Sequence, residues 1–112
     1  YRLAVKTYRV GLGRIESAAA HNGIAYCYAK LGHYRKAVSH SRRAVELEPG
    51  NAVYVNDLGY TLLEAGDLDG AKTVLERAVE LDPDNELARG NLAYCLDLQS
   101  RGRALPGVPA DH

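Results

Sequence analysis

"RAVELEPGN" runs from Arg43 to Asn51, and "RAVELDPDN" runs from Arg77 to Asn85. Pro49 and Pro83 stand 34 positions apart, and the same offset recurs along the chain. It pairs Asn22 with Asn56, Gly32 with Gly66, Ala37 with Ala71 and Ala44 with Ala78. It aligns Ile24, Leu58 and Leu92, then the small residues Ala25, Gly59 and Ala93, then Tyr26, Tyr60 and Tyr94. Self-similarity at a fixed period of this length signals a stacked array. One unit cannot bury its own apolar face, so neighbours share a continuous core.

Within the period, the spacing predicts two helices. Asn51 is placed to cap the first, because its side-chain oxygen can accept from an otherwise orphan N–H. Val55, Leu58, Leu62 and Ala65 then recur on one helical face. Gly66 ends this helix, since glycine takes the left-handed conformation without a Cβ penalty. Asp67 caps the second helix, whose inner face is Leu68, Ala71, Leu75 and Ala78. Pro83 interrupts the pattern and Asn85 caps the next helix, as Ser17 caps an earlier one. The small residues Ala25, Gly59 and Ala93 predict close approach of helix axes.

These residues resemble the tetratricopeptide repeat, a helix–turn–helix unit of this length. The resemblance covers about residues 1–99. It rests on Ile24, Ala25, Tyr28, Gly32, Tyr34, Ala37, Ala44 and Pro49 in one full unit. In the next it rests on Leu58, Gly59, Leu62, Gly66, Leu68, Ala71, Ala78 and Pro83. The Trp common near the start of the family's first helix is absent, and His21 and Val55 stand there. The implied fold is all-α, an α-solenoid with a right-handed superhelix. The expected organisation is a truncated second helix plus loop at 1–17, full repeats at 18–51 and 52–85, and a truncated or capping first helix at 86–99. Residues 100–112 hold two prolines and two glycines without periodicity, and a disordered tail is expected there. In the orphan helix expected over residues 1 to about 12, Val5, Val10 and Leu12 would lack a neighbour.

Composition bounds the function. Apolar residues make up 46% of the 112 and charged residues 25%, an ordinary globular balance. No apolar run approaches the roughly 20 residues of a membrane helix, so no membrane insertion is expected. The formal net charge is zero, but residues 1–50 carry nine Lys/Arg against three Glu, and residues 51–112 carry five against eleven Asp/Glu. That is a polarised molecule. A nucleic-acid footprint would be a continuous basic stripe with a matching motif, and neither is present. The first residue is Tyr1 and no signal segment follows it, so a piece of a longer chain is expected, with a cytoplasmic default.

The residues that could carry chemistry do not assemble into a reaction centre. His21, His33, His40 and His112 offer no converging set for zinc, which needs about four N or S ligands; His33 falls in a turn and His40 on a helix exterior. Cys27 and Cys95 hold equivalent positions two repeats apart and should be separate packed thiols. The Asp67/Asp69 and Asp82/Asp84 pairs fall at turns, where capping explains them. Gly11–Leu12–Gly13 lacks both the preceding strand and the rest of a phosphate-loop motif. No enzyme activity and no cofactor are expected.

The resemblance implies binding of a peptide or protein partner in the concave groove formed by first helices. By that geometry the groove is lined by Asn22, Tyr26, Lys30, Asn56, Tyr60, Leu63, Glu64, Tyr94 and Asp97. The tyrosines would form a ladder that also packs adjacent helices, having an apolar body and a polar tip. One subclass of the family clamps a C-terminal carboxylate with Lys, Asn and Arg. Carried over to this chain, the clamp positions hold Asn22, Tyr26, Asp57, Leu87 and Asn91. No cation is among them and Asp57 repels a carboxylate, so this is not a Lys/Arg carboxylate clamp. A second reading is self-association through the apolar, oppositely charged ends, giving a homo-oligomer.

Overall fold

The computed structural model describes residues 16–104, and every regular element among them is an α-helix. These are α1 (Ala18–Lys30), α2 (Tyr34–Leu47), α3 (Ala52–Ala65), α4 (Leu68–Leu81) and α5 (Glu86–Ala104). The orphan helix expected before Ser17, with Val5, Val10 and Leu12, lies outside the described residues, as does the segment after Ala104.

The helix ends follow the caps. Ser17 Oγ accepts from the Ala20 N–H at 3.0 Å, and Asp67 Oδ1 from the Gly70 N–H at 2.9 Å. Asn51 Oδ1 accepts from the Val53 and Tyr54 N–H groups at 3.0 and 3.3 Å, and Asn85 Oδ1 from Leu87 and Ala88 at 3.0 and 3.2 Å. Each satisfies donors left orphan in a first turn. Gly32 and Gly66 have φ of +81° and +88°. This left-handed turn lets His33 N–H donate back to Tyr28 O and Asp67 N–H to Leu62 O, closing α1 and α3 in the same way.

Each helix packs on the next in sequence, and the first helices α1, α3 and α5 also touch in turn. The core follows the repeat. Ile24, Ala37, Ala44, Leu62, Ala71, Leu75 and Ala78 are buried, as are Val55 and Leu58. Tyr28 and Cys27 pack with Ile24 and Ala37, while Cys95 joins Leu58, Leu62, Leu63, Ala71 and Leu75. Both cysteines are free thiols. Burial pushes the Cys95 thiol up from its ordinary range, helped by Asp69, and Sγ donates to Leu68 O at 3.3 Å.

Four expectations need correction. Ala65 is exposed, because α3 is closing at Gly66 and has left the core. Ala93 is exposed too: Leu75 of α4 lies over Gly59, but no second helix among the described residues covers α5 in the same way. Helix α5 continues past Gln99 to Ala104, so the expected tail begins too early. Asp97 and Arg101 pair at 2.9 Å one turn apart, Gln99 Nε2 donates to Asp69 Oδ1 at 2.9 Å, and no proline intervenes before Pro106. Finally, His40 is not an exterior residue. Its ring stacks on Tyr28 with centroids 5.7 Å apart, and its Nδ1 lies 3.0 Å from His21 Nδ1. A flat ring on α2 can lie down over α1, which the helical period alone does not reveal.

Candidate functional site

A groove of about 490 Å³ opens along the side of the array formed by first helices. From α1 it takes Asn22, Ala25, Tyr26, Ala29 and Lys30; from α3, Asn56, Asp57, Tyr60, Thr61 and Glu64; from α5, Leu87 and Asn91. The volume is within the usual range for ligand clefts, roughly 300–1,000 Å³.

Six of the nine residues expected in the groove are brought together there: Asn22, Tyr26, Lys30, Asn56, Tyr60 and Glu64. Three are not. Leu63 is buried, packed in the cluster that contains Cys95, so it faces the core. One helical residue turns about 100°, which carries Leu63 from the groove edge, marked by Tyr60 and Glu64, to the inner side. Tyr94 is exposed farther along α5, outside the lining, and Asp97 is tied to Arg101. Ala25, Ala29, Asp57, Thr61, Leu87 and Asn91 were absent from the expected set. The signal for three of them was available, since Asp57, Leu87 and Asn91 occupy clamp positions of the family.

The tyrosines do form a series in exposure: Tyr26 is 56% exposed, Tyr60 45% and Tyr94 52%. Helical packing therefore covers only about half of each of these residues. Lys30 Nζ lies 5.2 Å from the Tyr26 ring centroid, a cation–π distance.

The asparagines carry a second function that the sequence did not announce. Asn22 Nδ2 donates to Asp57 Oδ2 at 3.1 Å, and Asn91 Nδ2 donates to Asn56 Oδ1 at 3.0 Å. Both bonds join one first helix to the next at the same register, 35 residues apart. They fix the spacing of the groove walls. Each amide nonetheless keeps one end unused. Asn56 is buried, its Oδ1 is taken, and its Nδ2 donates to nothing among the described residues.

Asp57 is the groove's electrostatic feature. Burial raises its carboxyl above the ordinary range, and the hydrogen bond from Asn22 pulls it partly back. No described residue forms an ion pair with it. Thr61 Oγ1 donates to the Asp57 backbone carbonyl at 2.8 Å and so leaves the carboxylate alone. No group of three or more His, Cys, Asp or Glu among the described residues is arranged to hold a metal ion.

No helix among the described residues is long and apolar enough to cross a membrane. No curated protein sequence matches the chain. Among the solved structures that share its fold are two peptide complexes. The second tetratricopeptide domain of human RPAP3, solved by NMR with the HSP70 peptide SGPTIEEVD, has a TM-score of 0.76 at 22% identity; the match covers 82% of this chain and 78% of that one. The first such domain of Spaghetti (RPAP3), bound to the HSP90 peptide SRMEEVD, gives 0.80 at 23% identity, over 86% and 77%. The family model described as tetratricopeptide repeat matches residues 28–90 and 62–102. With well over half its length matched and the helix pairs stacked in register, the chain belongs to the tetratricopeptide repeat family.

Proposed function

We propose that this chain is a non-catalytic interaction module that holds a peptide segment of a partner protein along α1, α3 and α5. The observation that carries this is the row of half-exposed tyrosines, two of them lining a cavity whose walls are bridged by Asn22 and Asn56. Tyrosine gives large contact area with few rotatable bonds to freeze. The unused Nδ2 of Asn56 can donate to a backbone carbonyl without reading sequence. The peptide complexes of the RPAP3 domains support the reading by fold.

The test is capture of partners by the full chain, repeated with Tyr60→Ala and Asn56→Ala. Tyr60→Ala should weaken capture at least about tenfold, as hot-spot aromatics do, with circular dichroism unchanged. Asn56→Ala should weaken capture and also lower Tm, because it leaves Asn91 without its partner. Full binding by both folded variants would move the site off the groove.

One observation favours self-association as a second reading. Leu96 is 43% exposed, whereas Leu62, its counterpart one repeat earlier, is 2% exposed. The face of α5 that adjoins Ala93 is thus apolar and open. If two copies meet there, light scattering should show concentration-dependent growth that Leu96→Glu abolishes. A strict monomer at high concentration removes this reading.

A further inference from the structure

The cavity between α1 and α3 has a charge preference. Two carboxylates line it, Asp57 and Glu64, against one ammonium, Lys30. That ammonium already lies against the Tyr26 ring. Asp57 spends Oδ2 on the neutral Asn22, while Oδ1 accepts from nothing among the described residues. A half-buried carboxylate without a counter-charge is costly, and a cation brought by a ligand recovers that cost. Asp57, Tyr60 and Glu64 follow one another at i, i+3 and i+7 on α3, which is a single stripe. The exposed Tyr60 ring therefore lies between two negative groups. Buried Asn56, with its unused amide donor, lines the same cavity beside Asp57.

We propose that the groove takes an extended peptide bearing a basic side chain, arginine in preference to lysine, whose cationic head lies on the Tyr60 ring and pairs at its edge with the Asp57 carboxylate. Arginine is favoured because its planar head stacks on an aromatic face and still donates at its edge. Glu64 extends the attraction along the stripe, and Asn56 Nδ2 donates to the peptide backbone. The chemistry is opposite to that of the acidic peptides bound by the RPAP3 domains. The proposal rests on the groove reading above and adds the charge of the ligand.

The experiment presents the full chain with a positional library of acetylated, amidated nonapeptides, and separately with SGPTIEEVD. Variants are Asp57→Asn, which keeps an acceptor for Asn22, and Tyr60→Ala; thermal melts verify their fold. Selected peptides should carry Arg or Lys at one position. Asp57→Asn should weaken them about tenfold and erase that preference, as expected for a lost charge-assisted hydrogen bond. SGPTIEEVD, which carries no basic side chain, should not bind. Peptides that need Tyr60 but are acidic or uncharged, or basic peptides that bind Asp57→Asn equally well, overturn the basic-ligand proposal and leave the groove reading standing. If no peptide depends on Tyr60, including the case in which none binds, both fall.

Discussion

Gly59 has no room for a side chain. A Cβ built there would meet Leu75 Cγ and Cδ2 at 2.5 Å, and Leu75 is fully buried. The equivalent positions one repeat earlier hold Ala25 and Ser41, both buried. Volume has thus been traded across the pair: glycine accompanies leucine, and alanine accompanies serine. The trade is imperfect, because Ser41 Oγ is buried with no hydrogen-bond partner. Gly59→Ala should lower stability by overpacking, about 1–3 kcal/mol, offset in part by a gain of about 1 kcal/mol in helix propensity. Leu75→Ser alone opens a cavity and should cost about 2–5 kcal/mol, the range for large core truncations. The double variant should cost less than the sum of the two by at least about 0.5 kcal/mol. Strict additivity in urea denaturation would show that the two sites are not coupled. The need for a small residue at 59 was readable in the sequence, because the 34-residue offset repeats it as Ala25. The core placement of Leu63 was not, because that residue sits where groove and core faces meet and only the packing of α5 assigns it. Asp57 was readable as an obstacle to carboxylates. Its lack of a counter-charge emerged only when Asn22 came within hydrogen-bond reach.

The elements show the same division. Caps at Ser17, Asn51, Asp67 and Asn85 could be read directly, since a cap and its target are neighbours in sequence. The strap that ties the start of α1 to α2 could not. Arg43 Nη2 donates to Glu16 Oε2 at 2.8 Å across 27 residues, and His21 Nε2 lies 3.1 Å from Glu16 Oε1. At the repeat offset Arg43 recurs as Arg77, but Glu16 becomes Gly50, so periodicity gave no hint. The Arg43 hydrogen bond, followed by that from His21, holds the Glu16 carboxyl down at about 2, against an ordinary 4.5. A carboxyl lowered in the folded state contributes stability that is present above its unfolded value and lost as pH falls through the folded one. Wild type should therefore exceed Glu16→Gln in Tm above about pH 5, and the gap should close as pH falls toward 2. The pair is exposed to solvent, so the gap should be small and shrink in salt. A gap that stays constant from pH 6 to 2 would mean that the Glu16 charge contributes nothing.

Across the whole molecule, stability should depend on position within the array. Helix α3 packs against each of the other four described helices, whereas α5 touches only α3 and α4. In a stacked repeat, stability is roughly a sum of units and nearest-neighbour interfaces. The centre should then open only when everything opens, and an outer helix should open on its own. Helix α5 adds further reasons: Leu87 and Leu96 are exposed large apolar residues, Gly90 and Gly102 weaken it from within, and no second helix among the described residues covers Ala93. Its first half is nevertheless anchored, by Ala88 and Cys95 in the core and by the Asn91 bond to Asn56. Native-state hydrogen exchange should give amides of Leu58 and Leu62 free energies equal to that of global unfolding. Amides after Leu98 should exchange through local opening at several kcal/mol less. A groove ligand touching Leu87 and Asn91 would join α5 to α1 and α3, so binding should raise protection around Asn91 more than around Leu58. Uniform protection from α1 through α5, with or without ligand, would instead make the array one cooperative block. The graded stability argued from the helix contacts would then be wrong.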